Sequence, residues 1–399
     1  MNTKIINFIK NFSYTLSSNL ISLLISTLVV LIIPKVIGIQ EYGYWQLYLF
    51  YSSYVGFLQF GWNDGIYLRY GGEKYENLNK QLFFSQFLML LLSQILIGII
   101  IIIFTALFAS NSNSEFILYS TAICLVITGT RAMFLFILQS TNRIKEYAKT
   151  TVLDRVIYFL LVIMLLLVGI TDFKIMIIAD LTGRFLSFIY SMYFCRDIVF
   201  QKISNFYFSV NEMFMNMSVG IKLMFANIAS MLIIGVVRFG IERAWDVETF
   251  GKVSLTLSAS SLMMIFINAV GIIMFPILRR TDVKKLSSIY VIMRDFLMLI
   301  LLGLLIMYYP LKTILSYWLP QYSESLMFMA LAFPMFIYEG KMALLINTYL
   351  KTLRKEKVIL VVNLISVSIS VLVTIVSTII LKNLNLAVLS IVILLTLRS

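Results

Sequence analysis

Charged and amide side chains interrupt several long apolar runs of this sequence, and their chemistry is the most informative. Lys222 lies inside the run MSVGIKLMFANIAS, Asn227 follows it, and Arg238 lies near the end of the same run. A cation held away from water is costly unless it is paired or hydrated, so such a Lys or Arg is a candidate anion-binding group. Asn227 offers a hydrogen-bond donor and an acceptor to a polar ligand. The structural alternatives are a Lys222 stem that reaches the membrane interface and an amide that bonds a neighbouring helix.

Four further polar residues are candidates for the same binding site. Asn19 lies in the first apolar run and Asn268 in the eighth, where either amide could bond hydroxyl groups. Asp64 and Arg69 lie in FLQFGWNDGIYLRYGGEKYE, a polar stretch between two apolar runs. This stretch predicts either a functional hinge that contacts the ligand or an ordinary basic turn at the membrane surface.

A separate acid and base follow a proline. Glu339 and Lys341 come shortly after Pro334 in LAFPMFIYEGKMALL. A proline-broken helix that carries ionisable groups is a candidate ion-coupling element. The alternative is a simple proline kink, which membrane helices tolerate.

Other charges in the apolar runs favour structural pairing. Asp180 and Arg184 are four residues apart, so they share one helix face and are predicted to form an ion pair. Arg131, in a different run, belongs to the same group of charges. Arg294 and Asp295 are adjacent and would point in different directions, so we expect each to find a partner on another helix.

The apolar runs are the elements that must position these side chains. The chain of 399 residues is 60% hydrophobic and 13% charged, whereas charged residues make up about a quarter of a typical soluble protein. About 20 predominantly apolar residues are needed for a helix to cross a bilayer. The sequence therefore predicts an all-α polytopic membrane protein with about 12 transmembrane helices. The predicted spans are 12–34, 44–63, 82–108, 116–139, 152–170, 175–195, 216–238, 253–276, 289–309, 325–348, 358–381 and 384–397.

Several classes of site and partner are not expected. The sequence has no histidine, and its two cysteines, Cys124 and Cys195, lie in apolar segments, so no metal site is predicted. No Gly-rich phosphate loop is present. We therefore expect no cofactor, no catalytic residue and no enzymatic activity. The net charge of +13 comes from scattered basic residues, so no nucleic-acid partner is expected.

Basic residues concentrate in alternate connections, which predicts the orientation in the membrane. By the positive-inside rule these connections face the cytoplasm, and so do both termini. They are the N-terminus, 64–81, 140–150, 196–215, 277–288, 349–357 and the C-terminus.

A weak internal repeat relates the two halves of the chain. EYGYWQL at 41–47 matches TFGKVSL at 249–255 in its aromatic-Gly pair and final Leu. Six spans per half give both halves the same orientation, as in a parallel repeat. The sequence therefore predicts two six-helix lobes, at 1–205 and 206–399, related by a parallel pseudo-repeat.

Three segments resemble a known family. These are PKVIGIQEYGYWQLYLF (Pro34–Phe50), GWNDGIYLRYGG (Gly61–Gly72) and RFGIERAWDVETFGKVSLTLSAS (Arg238–Ser260). They are similar to the polysaccharide-biosynthesis flippases that move O-antigen and capsule repeat units, members of the multidrug/oligosaccharidyl-lipid/polysaccharide exporter (MOP) superfamily. The resemblance implies two six-helix lobes around a cavity lined mainly by spans one, two, seven and eight.

The resemblance also implies a cargo, a location and partners. The cargo would be an undecaprenyl-diphosphate-linked oligosaccharide, moved by alternating access from the cytoplasmic to the outer leaflet of the bacterial inner membrane. Expected partners are this glycan, membrane lipids, the polysaccharide polymerase and the chain-length regulator. Two alternatives stay open: a membrane polysaccharide polymerase, and a multidrug or cation antiporter of the same superfamily.

Overall fold

The computed structural model of the protein describes residues 3–109, 111–264, 267, 283–323, 325–353 and 355–399, and no β-strand occurs within these ranges. The first helices are α1 (Thr3–Val36), α2 (Ile39–Ser52), α3 (Trp62–Arg69), α4 (Lys80–Phe108), α5 (Ser112–Ser140), α6 (Ile144–Leu167), α7 (Phe173–Phe194), α8 (Arg196–Val199) and α9 (Val210–Ala244). The later ones are α10 (Val247–Ser261), α11 (Val283–Leu305), α12 (Tyr308–Trp318), α13 (Leu326–Ala332), α14 (Met335–Gly340), α15 (Asn347–Thr352), α16 (Glu356–Thr374) and α17 (Leu384–Arg398).

The lengths and composition of these helices suit a membrane. Within the described residues, eight helices are long and apolar enough to cross a bilayer. A ninth arises if the pair Leu326–Ala332 and Met335–Leu350, bent by 40°, counts as one broken span. The predicted all-helical, multi-pass architecture is confirmed. The predicted eighth span continues past α10 into residues that lie outside the described part of the chain.

Contacts within the chain define two compact units. Unit 1 contains Met1–Val29 and Tyr44–Phe225, and unit 2 contains Val30–Gly43 and Ala226–Ser399. Helices α1 and α9 each begin in unit 1 and end in unit 2. The predicted lobes, 1–205 and 206–399, were defined by the internal repeat, whereas these two units are defined by contacts within the chain. The division after residue 205 therefore stays a prediction.

Aromatic packing among α3, α4 and α5 forms a large part of the core of unit 1. Trp62 of α3, Phe83 and Phe87 of α4, and Phe134 of α5 are buried in one cluster. The rings of Phe87 and Phe134 have centroids 5.1 Å apart. The indole nitrogen of Trp62 donates to the Gln86 side-chain oxygen at 2.8 Å, so its polar group is satisfied within the core.

Aliphatic packing dominates the core of unit 2. Ile233 and Val237 of α9 are fully buried against Val253 of α10 and against Val388 and Ile391 of α17. The long aliphatic stripe of α9 therefore continues into this unit, where it fixes the last helix of the chain.

The second predicted span, 44–63, is not a continuous helix. Helix α2 ends at Ser52, and the chain reaches α3 through a turn in which Phe60 has φ 53° and Gly61 has φ 79°. Right-handed helix cannot pass through left-handed residues. The prediction of one continuous helix over this span was wrong, because apolar composition does not show where the backbone leaves the right-handed helical conformation.

The expectation for Arg294 and Asp295 was also wrong. Their side chains bond each other, with Arg294 Nη2 2.8 Å from Asp295 Oδ1. Both side chains are about half exposed, at 47% and 61%. The flexible Arg294 side chain can therefore reach the carboxylate of the next residue.

Candidate functional site

A seam of glycines brings α3 into backbone contact with α9 in unit 1. A Cβ atom on Gly65 would lie 1.9 Å from the Asn216 carbonyl oxygen, and one on Gly220 would lie 2.0 Å from the Gly61 carbonyl oxygen. A Cβ on Gly61 would meet the Ile221 main-chain nitrogen at 2.5 Å. The absence of side chains at these three positions is therefore what permits the close approach, as in small-residue contacts between membrane helices.

Arg69 closes this seam at the end of α3. Its Nη1 donates to Glu212 and to the Asn216 side-chain oxygen, both at 2.6 Å, and its Nη2 donates to the second Glu212 oxygen at 3.3 Å. Tyr70 donates to Glu212 at 2.8 Å. The two-pronged contact fixes both side chains. Arg69, predicted to contact the ligand, is thus committed to α9.

Asp64 lies in α3 rather than in an exposed turn. It is 8% exposed, and one of its oxygens accepts a hydrogen bond of 2.8 Å from Gln59. The Gln59 oxygen accepts from the Asn63 main-chain nitrogen, and the Asn63 side chain donates to the Gly129 carbonyl of α5 at 2.9 Å. A buried polar cluster therefore occupies the break between α2 and α3.

Lys222 lies next to the seam, on a different face of α9. The residue is exposed and makes no hydrogen bond or ion pair within the described part of the chain. Its neighbours at helical spacing are Met215, Val219 and Phe225, which are 51%, 41% and 48% exposed. We call these four residues the α9 stripe; it combines one cation with three apolar side chains.

Of the three asparagines predicted to bind the ligand, the structure describes two, and both are exposed. Asn19 is exposed on α1 in unit 1, and Asn227 is exposed on α9 in unit 2. Asn268 lies outside the described residues. Exposure keeps the two described amides available to a ligand, and their assignment to cargo binding stays a prediction.

Arg238 is held inside unit 2. Its Nη2 donates to the Ser254 hydroxyl of α10 at 3.0 Å, and its guanidinium carbon lies 5.3 Å from the centroid of the Phe250 ring. The residue is partly buried. These contacts link α9 to α10, which is a packing role that the sequence alone did not distinguish from ligand binding.

Two buried ion pairs stabilise unit 1. The predicted pair is confirmed, with Arg184 Nε 2.7 Å from Asp180 Oδ2. Tyr48 of α2 donates to the same carboxylate at 2.7 Å. Arg131 pairs with Asp154 at 2.8 Å. These charges are therefore neutralised within the unit.

Glu339 and Lys341 lie at an irregular point of unit 2. The helix continues from α14 as a π-helix over Lys341–Ile346, an irregularity that often marks a functional position. In the same unit, the guanidinium of Arg398 donates to Asn363 at 2.9 Å and to Ser230 at 2.8 Å. The ion-coupling role of Glu339 and Lys341 stays a prediction.

Asp197 has a perturbed pKa in the connection between α7 and α9. Burial favours the neutral acid, but the hydrogen bond from Tyr75 and the Lys80 ammonium at 3.4 Å outweigh it and lower the pKa of Asp197. Burial in turn raises the pKa of the Tyr75 hydroxyl. The contacts of Asp197 with Tyr75 and Lys80 hold this connection against the start of α4.

The sequence analysis missed two features of this site: the glycine seam and the partner of Arg69. The seam had a signal in the sequence, because Gly61 and Gly65 form a GxxxG pattern in GWNDG, which is typical of close helix packing. Glu212, which binds Arg69, carries no comparable signal because the two residues are far apart in the chain.

Comparison with known proteins gives a fold and no sequence family. No family model matches the chain, and no curated protein matches its sequence. Among solved structures, the chain is similar to an inward-facing multidrug resistance MATE family transporter of the MOP superfamily, with a TM-score of 0.71 and 12% identity, covering 96% of this chain and 91% of that one. The chain is also similar to a MATE protein in complex with MaL6, with a TM-score of 0.60 and 13% identity, covering 98% of this chain and 93% of that one.

A third similar structure is a MOP superfamily transporter from Pyrococcus furiosus, described as having a binding pocket of reversed polarity that suggests a different function. It has a TM-score of 0.57 and 13% identity, over 98% of this chain and 93% of that one. At these identities the likeness establishes the fold alone. The chain has a MATE-like transporter fold, and these three similar structures are transporters rather than enzymes.

Proposed function

We propose that the protein is a MOP-type transporter that moves an undecaprenyl-diphosphate-linked oligosaccharide from the cytoplasmic to the outer leaflet of the bacterial inner membrane by alternating access. The observation that carries the transport proposal is the fold, which covers 96% of the chain at a TM-score of 0.71 against a transporter. The fold gives no information on the cargo, so the cargo is argued from the chain's own side chains.

The α9 stripe supports an anionic lipid as cargo. Lys222 offers an ammonium group that has no partner among the described residues, and Met215, Val219 and Phe225 offer apolar surface along the same line of the helix. A lipid-linked diphosphate needs both an apolar surface and a cation, because its tail is apolar and its head group is anionic. Arg69, Arg131 and Arg184 are engaged with carboxylates, so they compete poorly for the same phosphate.

The exposed amides fit the glycan part of this cargo. Asn19 and Asn227 each present a donor and an acceptor, which suit sugar hydroxyl groups. Glu339 and Lys341 are retained as the candidate ion-coupling pair. The polymerase alternative loses support, because the fold resembles transporters.

The test uses the bacterium that carries the gene. Depletion of the protein should leave single undecaprenyl-diphosphate repeat units whose sugars an impermeant label cannot reach from outside. Units that accumulate but are label-accessible would contradict the flippase step. Complementation with Lys222→Gln should then fail to restore export, whereas Lys312→Gln, which removes an exposed lysine of α12, should restore it at equal membrane abundance.

A second candidate function is multidrug efflux, which is favoured by the similar structures described as multidrug resistance MATE transporters. A cationic drug would be repelled by the Lys222 ammonium. Efflux therefore predicts that expression protects cells from cationic dyes and that depletion leaves the lipid-linked glycan unchanged. This result would replace the proposed cargo while keeping the transport fold.

A further inference from the structure

The connection between α7 and α9, residues 196–209, exposes three large apolar side chains. Phe200, Ile203 and Phe208 are 75%, 83% and 75% exposed. They lie outside the helices that can cross a bilayer, because α7 ends just before this connection and α9 begins where it ends. Large apolar side chains that are exposed together in one short segment mark a binding surface for a protein or a membrane.

Hydrogen bonds hold the second half of this connection against the first two turns of α4. The Gln81 side chain donates to the Asn205 carbonyl at 3.0 Å, and the Gln86 side chain donates to the Ser209 carbonyl at 3.0 Å. Between Gln81 and Gln86 a helix rises about 7.5 Å, so the connection runs beside the start of a membrane-spanning helix. It therefore lies at the depth where that helix enters the membrane.

The free charges of this connection are basic. Its one acid, Asp197, accepts a hydrogen bond from Tyr75 and pairs with the Lys80 ammonium at 3.4 Å. Arg196 and Lys202 are exposed, and neither forms an ion pair within the described part of the chain. Exposed basic side chains beside exposed apolar ones match a lipid surface, which offers anionic head groups above acyl chains.

We propose that the connection is a membrane-surface anchor for anionic lipid. Its three exposed apolar side chains enter the boundary between head groups and acyl chains, and Arg196 and Lys202 contact lipid phosphate groups. The hydrogen bonds to α4 favour this location, because they satisfy main-chain carbonyls that would otherwise need water. A soluble partner would have to dock against a segment that both neighbouring spans hold at the membrane surface.

The anchor lies on the side of the membrane that the basic connections are predicted to face. It is separate from the α9 stripe, and its binding of lipid does not depend on which cargo the protein carries. Because α9 follows directly, lipid bound here fixes where this helix begins relative to the membrane surface. A test on the purified protein therefore succeeds or fails independently of the proposed transport function.

The experiment attaches a nitroxide spin label to Ile203→Cys in the purified full chain, in phosphatidylcholine nanodiscs with and without phosphatidylglycerol. Both native cysteines are buried, and the unsubstituted protein carried through the labelling gives the background. Accessibility is measured to oxygen, which concentrates in hydrocarbon, and to a neutral nickel chelate, which stays in water. With phosphatidylglycerol present, the label at position 203 should favour oxygen several-fold more than a label at Glu73→Cys does. Glu73 is the matched control, because it is exposed in the polar turn between α3 and α4.

The double variant Arg196→Gln with Lys202→Gln tests the charges. Its oxygen preference at position 203 should equal that of the unsubstituted charges in phosphatidylcholine alone, whether or not phosphatidylglycerol is present. Phe208→Cys is the second labelling position, in case replacing Ile203 disturbs the segment.

Three results would overturn the proposal. Labels that favour the nickel chelate at both positions would show that this surface faces water and suits a soluble partner. Labels shielded from both reagents would show that protein covers the segment. An oxygen preference that ignores phosphatidylglycerol would show that the connection does not distinguish anionic lipid.

Discussion

The glycine seam between α3 and α9 makes a quantitative prediction for Gly65→Ala. Alanine is the better helix former, so in an exposed helix the change would add up to about 1 kcal/mol of stability. At Gly65 the new Cβ would lie 1.9 Å from the Asn216 carbonyl oxygen. This neighbour is main chain and cannot rotate away.

The size of the effect follows from the distance. The helices must separate by about 1.5 Å to bring this 1.9 Å distance to ordinary contact, and overpacking of this kind typically costs about 1–3 kcal/mol. Separation also lengthens the two 2.6 Å bonds that Arg69 makes to Glu212 and Asn216. Gly65→Ala should therefore lower the free energy of unfolding by about 2–3 kcal/mol, against the intrinsic preference of the helix for alanine.

Gly303→Ala is the matched control. Gly303 lies in α11, and a Cβ there would meet nothing within 4 Å, so this variant should gain about 0.5–1 kcal/mol from helix propensity. The assay is thermal or denaturant unfolding of both variants in the same detergent. If Gly65→Ala is as stable as Gly303→Ala, the close approach of α3 to α9 is not a feature of the folded protein.

Two further predictions concern other contacts of the described chain. A double-mutant cycle of Arg69→Ala and Glu212→Ala should give a coupling energy of about 1–2 kcal/mol, because the pair is two-pronged and only partly exposed; additive losses would show that the two side chains act independently. Asp246 caps α10 by accepting from the Thr249 amide at 2.8 Å, so Asp246→Ala should cost about 1 kcal/mol in unfolding experiments and Asp246→Asn should cost almost nothing. Hydrogen bonds from Thr249 lower the pKa of Asp246, so the part of its contribution that depends on the negative charge should be present above the unfolded-state pKa of about 3.9 and be lost as pH falls below it. If wild type and Asp246→Ala lost the same stability between pH 4 and 2, this prediction would be contradicted.

Helix positions were predictable from the sequence because the physical requirement for spanning a bilayer is simple. A run of about 20 apolar residues must form a helix to satisfy its backbone in hydrocarbon. The runs at 82–108 and 116–139 became α4 and α5 with boundaries displaced by a few residues. The pair of Asp180 and Arg184 was predictable for a similar reason, since helical spacing alone brings them together.

The path of the second span was not predictable in the same way. Residues 44–63 have the composition of a span, yet α2 ends at Ser52, and Phe60 and Gly61 adopt positive φ just before α3 begins. A positive φ is uncommon for a residue other than glycine, so amino-acid composition would not predict this conformation at Phe60. The structure instead follows packing, because Gly61 and Gly65 can contact α9 only if the chain turns before them.

The distribution of partners decides which charges remain for a ligand. Arg69 reaches Glu212 across 143 positions of sequence, and no local pattern in the chain predicts such a contact. Once it is known, the predicted cargo-binding cations fall into two groups. Arg69 and Arg238 hold helices together through Glu212 and Ser254, whereas Lys222 keeps its charge exposed on an apolar stripe. Removing either arginine should therefore lower stability before it affects cargo, and only Lys222 should alter export at unchanged stability. An export defect of Lys222→Gln that disappears when membrane abundance is matched would show that this separation of roles is wrong.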